Sequence, residues 1–150
     1  MYINHKYWMR CALKLAYCAQ KNGEVPVGAI LIFNNKVIGE GYNSSISKND
    51  PTAHAEIIAL RAGGRKLKNY RLMNTTLYVT KEPCIMCIGA ILNSRIYQLV
   101  LGSQVNNKYS ILNILKKQNI TNHKLYIKQK ILEKECNNIL YHFFKDKRKT

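Results

Sequence analysis

Two short stretches hold the residues able to do chemistry: Thr52-Ala53-His54-Ala55-Glu56 and Glu82-Pro83-Cys84-Ile85-Met86-Cys87. One histidine and two cysteines are zinc ligands by type. Three protein ligands leave a fourth position open, the arrangement of catalytic rather than structural zinc. Water in that position becomes a usable nucleophile near neutral pH. Glu56, two residues after His54, is an acid that need not bind the metal and can carry the water's proton. The pair of motifs therefore reads as a hydrolytic zinc centre with His54, Cys84 and Cys87 as ligands and Glu56 as the proton carrier.

Two other readings fit part of the pattern. A Cys-x-x-Cys pair in a cytosolic chain is often a redox couple, although such a motif needs no upstream His-x-Glu. A closed structural zinc site needs a fourth ligand, for which Cys11, Cys18, Cys136 and His123 are the candidates. Cys11 and Cys18 share a helical stripe with Trp8, Leu15 and Ala19, and Cys136 keeps the rhythm of Ile131, Leu132, Ile139 and Leu140. Both patterns suit core cysteines.

The elements that must position these residues can be read from periodicity. Pro83 is expected to open a helix, with Cys84 and Cys87 on one face of its first turn and the helix dipole lowering their thiol pKa. A second helix is expected from His54 to about Ala62, after the Asp50-Pro51-Thr52 signal. Two helix N-termini would then meet at one metal. Residues 6–21 show an amphipathic helical stripe ended by Asn22-Gly23. Residues 27–33 and 36–42 are strands around an Asn34-Asn35 turn, a hairpin. Further strands are expected at 76–80, 96–102 and, briefly, 125–127, before a basic C-terminal helix from Ile131 to about Lys147. Helices alternating with buried strands imply a three-layer α/β/α sandwich around a mixed five-stranded sheet. The ligands would sit beyond the carboxyl ends of its strands.

Length and composition set the limits. The 150 residues suit one domain, spanning 1–150. No stretch is apolar enough to cross a membrane, and the first residues do not resemble a signal peptide. Five cysteines, two of them assigned to metal, suit a reducing cytoplasm better than a disulfide framework. The net charge of +16 favours polyanionic partners. From Lys116 to Thr150 ten Lys and Arg face three acids, a net of +7, and Arg65-Lys66-Leu67-Lys68-Asn69-Tyr70-Arg71 mixes cations with an aromatic ring. A chain so rich in Lys, Asn and Ile also fits AT-rich coding drift, so charge alone divides evenly between the two explanations. Beside a zinc-hydrolase site it favours a nucleic-acid substrate.

The chain resembles the bacterial tRNA-specific adenosine deaminases of the cytidine-deaminase superfamily. The resemblance is carried by Tyr7-Trp8-Met9-Arg10, Glu24-Val25-Pro26-Val27-Gly28-Ala29, Ile38-Gly39-Glu40-Gly41-Tyr42-Asn43 and residues 50–61. Asn69-Tyr70-Arg71-Leu72, residues 76–87, Ser94-Arg95-Ile96 and Phe143-Phe144 extend it along nearly the whole chain. The His-x-Glu and Pro-Cys-x-x-Cys elements specify only the superfamily; the flanking segments narrow it. The resemblance implies a cytidine-deaminase-like fold, one Zn2+ per subunit, a homodimer, and deamination of adenosine to inosine at the wobble position of a tRNA anticodon stem-loop, with an arginine tRNA as substrate. It implies that Asn43 hydrogen-bonds the flipped-out base, that Val25 and Ala55 line its pocket, and that Phe144 with the basic turn after it touches the anticodon loop. A cytosine or guanine free-base or nucleotide deaminase shares the zinc motif and is the alternative. So, from another class, is a zinc-stabilised RNA-binding module without catalysis. Two departures from the resemblance stand out: the stretch 103–109 is short and lacks an Asp, and Lys81 replaces an apolar residue beside the metal helix.

Overall fold

The computed structural model describes residues 3–105, 110, 112–113, 115 and 123–149. Among these, four helices and five strands follow in the order α1 (His5–Lys21), β1 (Gly28–Phe33), β2 (Lys36–Tyr42), α2 (Ala55–Leu67), β3 (Thr76–Lys81), α3 (Ile85–Asn93), β4 (Gln98–Ser103), β5 (Tyr126–Lys128) and α4 (Glu133–Arg148). The strands form one sheet in the order β2-β1-β3-β4-β5. Strand β1 runs antiparallel to β2 and β3, whereas β3, β4 and β5 are parallel. Four strands therefore end at the same edge, and β1 begins there.

The sheet is covered on both faces, which makes it the α/β/α sandwich expected from the alternation. Alternate residues of a strand face opposite sides. Gly28 lies against Ala12 of α1 and Gly102 against Cys136 of α4, while Leu31 meets Gly63 of α2. Helices α1 and α4 thus share one face, and α2 lies on the other. The three central strands, β1, β3 and β4, are buried on both sides, with Leu31, Leu77, Val79, Leu99, Val100 and Leu101 almost free of solvent. Such strands read as continuous apolar runs rather than alternating ones.

The hairpin turn is as the sequence implied. Asn34 and Asn35 both take positive φ, 50° and 61°, the backbone a tight two-residue turn between twisted strands requires. Two glycines decide how closely α2 approaches β2. A Cβ on Gly39 would fall 2.2 Å from the Ala59 carbonyl oxygen, and one on Gly41 2.2 Å from that of Ala55. Any side chain there would push α2 off the sheet and carry His54 and Glu56 with it.

Several boundaries differ from expectation. Helix α2 runs on to Leu67 instead of stopping near Ala62. The Gly63-Gly64 pair does not end it, because Gly63 is needed for contact with Leu31 rather than for a turn. The stop is Lys68, left-handed at φ 53°. Helix α4 starts at Glu133 rather than Ile131, since Ile131 donates its N–H to Leu101 and Leu132 turns left-handed. Pro83 lies before the cap of α3 rather than in its first turn. Its ring instead keeps Glu82 extended.

Candidate active site

Both metal-binding segments begin where a helix does. His54 is the N-cap residue of α2 and Cys84 that of α3, each with extended backbone and neither making a side-chain cap hydrogen bond. An N-cap side chain ordinarily accepts from the helix's free N–H groups. Here both turn away from that role and toward each other. His54 Nδ1 lies 3.6 Å from Cys84 Sγ and 3.5 Å from Cys87 Sγ. Bonds of about 2.3 Å to sulfur and 2.05 Å to nitrogen at a tetrahedral angle give a ligand edge of about 3.6 Å. The three atoms are spaced for one zinc ion.

Among the described residues this trio is the group able to hold a metal, so the fourth position is open. Cys136 is buried against Gly102 on the opposite face of the sheet, Cys11 and Cys18 belong to α1, and His123 Nε2 is engaged with the Ile96 carbonyl. None completes a closed site. The expected lowering of the thiol pKa is not seen at Cys87. Burial first, then the neighbouring Glu56 and Cys84, push its thiol well above the ordinary range in the metal-free site. It is the metal that must draw off the proton.

Glu56 is 3 % exposed, in the first turn of α2. Burial raises its pKa, against smaller opposing effects from its own backbone N–H, Cys87 and the Lys81 ammonium. A carboxyl that keeps its proton more readily than a solvated one is suited to both taking and giving a proton near neutrality.

These groups face a cavity of about 550 Å³, lined by Val25, Val27, Asn43, His54, Glu56, Lys81 and Glu82 together with Cys84, Val105 and Ser110. It opens at the edge where the four co-directional strands end. Asn43 Oδ1 accepts the Ala55 N–H at 2.9 Å, which leaves the amide NH2 as the half of the side chain available to a ligand. Ala55 itself is fully buried and contributes that N–H rather than cavity wall. Phe144, 40 % exposed on α4, does not line the cavity. Of the shortened 103–109 stretch, residues 106–109 lie outside the described residues.

Two buried carboxylates to which the motif reading gave no role fasten segments around the cavity, Glu82 lining it and Glu24 adjoining Val25, which does. Glu24, 3 % exposed, accepts the N–H groups of Ile46 and Ser47 at 3.2 and 2.9 Å, fastening the long loop between β2 and α2. Glu82, 6 % exposed, accepts from Val105 N–H and the Ser110 hydroxyl, fastening the segment after β4 to the start of α3. The sequence held a signal for both. In a chain with only eight acidic residues, three of them, Glu24, Glu56 and Glu82, flank apolar strands or helices, where a carboxylate persists only with dedicated partners.

The profile of the cytidine and deoxycytidylate deaminase zinc-binding region matches residues 3–103, and the chain belongs to that family. Within it, the chain is 59 % identical over 150 residues to the tRNA-specific adenosine deaminase of Buchnera aphidicola subsp. Schizaphis graminum, covering 95 % of each. A structure determined in studies of A-to-I editing by tRNA:A34 deaminases at the wobble position of transfer RNA superposes with a TM-score of 0.82 at 35 % identity. That match covers 89 % of this chain and 99 % of the other. A guanine deaminase from Bacillus subtilis matches less extensively, at 31 % identity and a TM-score of 0.65 over 77 % of this chain and 71 % of the other.

Proposed function

We propose that this protein, acting as one deaminase domain over residues 1–150, hydrolyses adenosine to inosine and ammonia at the wobble position of a tRNA anticodon. The observation that carries the chemistry is a buried acid, Glu56, beside a three-ligand metal site in an open cavity. A structural site has no use for such an acid. The similarity to a tRNA-specific adenosine deaminase extends along 95 % of the chain, which favours this substrate over free guanine.

His54, Cys84 and Cys87 hold the zinc, which when bound supplies a Lewis acid that brings a coordinated water's pKa toward neutrality. Glu56 takes a proton from the attacking water and places it on N1 of the adenine. It then takes the remaining proton from the new C6 hydroxyl and gives it to the departing amino group, so that the C–N bond breaks, a carbonyl oxygen replaces nitrogen at C6 and ammonia leaves. Asn43 holds the base through its amide NH2, and Val25 and Val27 exclude water from its flanks. The wobble base belongs to a loop, so turning it into the cavity costs less than breaking a duplex pair. Ala55 acts at the pocket through its backbone, and Phe144 acts from α4 on the anticodon loop outside the cavity.

The partner is a tRNA anticodon stem-loop, with an arginine tRNA as the substrate. The working unit is a homodimer in the cytoplasm. An apolar groove between α2 and α3, lined by Ile57, Leu60, Leu72 and Ala90 with Tyr70 exposed at its rim, offers the surface for a second copy. Among the described residues no helix is long and apolar enough to cross a membrane.

The test is inosine formation in an arginine tRNA anticodon stem-loop by the zinc-loaded protein beside Glu56→Ala. Conversion by the parent alone supports the reading. Absence of conversion by both, with zinc bound, overturns it and moves the assay to free guanine and cytosine. Sedimentation of the same samples reads the dimer.

A further inference from the structure

Lys81 is an unusual residue for its position. It ends β3 opposite Ser103 of β4. By strand alternation it shares a face with Leu77 and Val79, both fully buried. It lines the cavity that holds His54, Cys84 and Glu56, and is itself half-buried. Its ammonium reaches Glu56 only through its field, with no hydrogen bond between them. Glu82, the neighbouring carboxylate, is already engaged by Val105 and Ser110. A partly desolvated cation beside a divalent metal site is costly unless an anion comes to it. A free base carries no anion, whereas a nucleotide in an RNA strand brings a phosphate on each side of its ribose.

We propose that Lys81 binds a backbone phosphate next to the nucleotide whose base enters the cavity, and so selects a strand-borne adenosine over a free base or nucleoside. This rests on the nucleic-acid reading above and deepens it. The cation sits at the cavity wall rather than on the outer surface. It therefore recognises the phosphate only when the base is inserted, and couples insertion to grip. Lys81 is a positioning residue in this account: it touches the substrate away from the reacting atoms and transfers no proton.

The experiment compares the zinc-loaded parent with Lys81→Leu and Lys81→Arg, using a labelled anticodon stem-loop. Turnover and binding are both read across a series of salt concentrations. In Lys81→Leu, KM and Kd rise several-fold, kcat changes less, and the slope of log affinity against log salt falls by about 0.7 to 1, the share of one phosphate. Lys81→Arg restores the slope. A Lys81→Leu protein with an unchanged slope, or one that loses kcat at unchanged KM, overturns the proposal. Because binding is read separately, a parent that binds but does not deaminate the stem-loop removes the deaminase reading while the slope still decides on Lys81. A parent that binds no RNA overturns the Lys81 proposal itself.

Discussion

Asn43 and Ala55 are twelve residues apart in the chain and joined by one hydrogen bond, Ala55 N–H to Asn43 Oδ1 at 2.9 Å. The bond satisfies the first free donor of α2, beside a cap residue, His54, that makes no side-chain cap hydrogen bond of its own. Asn43 thus has two separable duties: its oxygen anchors the helix that carries Glu56, and its NH2 meets the substrate. Asn43→Ala removes both and costs about 1–2 kcal/mol, a fall of about 2–8 °C in Tm, along with activity. Asn43→Asp keeps the acceptor and loses the donors. Its Tm stays near the parent's while activity falls by at least tenfold. Calorimetry and an inosine assay on the two variants separate the duties, and equal Tm losses in both would refute the division.

Glu56 makes a prediction of the opposite sign for stability. Burial holds its pKa above the ordinary value, so the folded zinc-free protein keeps a proton that the unfolded chain has lost. The unfolded state then binds fewer protons, and stability falls as pH rises past the unfolded value of about 4.3, until Glu56 ionises in the fold too. Glu56→Gln removes this penalty. The zinc-free variant is more stable than the parent at pH 7, and the gap closes near pH 4. Urea unfolding at both pH values measures it. With zinc restored, the variant's turnover is lower by about 10²–10⁴.

The strongest sequence signals were those in which chemistry and local geometry coincide. His54, Cys84, Cys87 and Glu56 were legible because few alternatives explain that set at that spacing, and the fold unites them at two helix caps as the spacing requires. The Asn34-Asn35 turn was legible for the same reason. What stayed hidden depends on contacts between segments distant in sequence. The run of α2 past Gly63 rests on Leu31 packed against that glycine, and the burial of Glu24 and Glu82 rests on the N–H groups of Ile46, Ser47 and Val105 that face them. The raised pKa of the Cys87 thiol is hidden in the same way, because its burial beside Glu56 and Cys84 exists only once the fold brings those segments together.

That burial sets the pH dependence of metal uptake. Cys87 holds its proton tightly in the metal-free site, so binding zinc must release it. Affinity therefore rises by about tenfold or more per pH unit between pH 6 and 8, measured by competition with a chromophoric chelator. Cys87→Ala weakens zinc binding and flattens this dependence. An affinity that does not change with pH would mean the thiolate exists before the metal arrives.

Glu24 tests whether the loop before His54 is held as the structure describes. Glu24→Ala leaves the Ile46 and Ser47 N–H groups without their carboxylate and frees residues 43–54, at a cost of about 2–3 kcal/mol for charge-assisted bonds. Amide exchange should quicken at Ile46 and Ser47 well before it does in β1, and KM should rise more than kcat falls. Uniform quickening across the sheet would instead make Glu24 a general stability residue.

The basic end of α4 has an explanation that needs no RNA. Glu133 and Glu135 stand in its first turn and Lys145, Lys147 and Arg148 in its last, the placement a helix dipole favours. Lys145 also lies over the Tyr141 ring and Lys147 over Phe143. Charge placement therefore cannot distinguish a solvated helix end from an RNA contact, but salt dependence can. If the end touches phosphates, removing residues 146–150 lowers the slope of log affinity for the stem-loop against log salt by about 0.7 to 1 for each phosphate lost, and leaves kcat unchanged. An unchanged slope would assign these cations to the helix dipole and to coding drift, and the RNA contacts to the cavity and its rim.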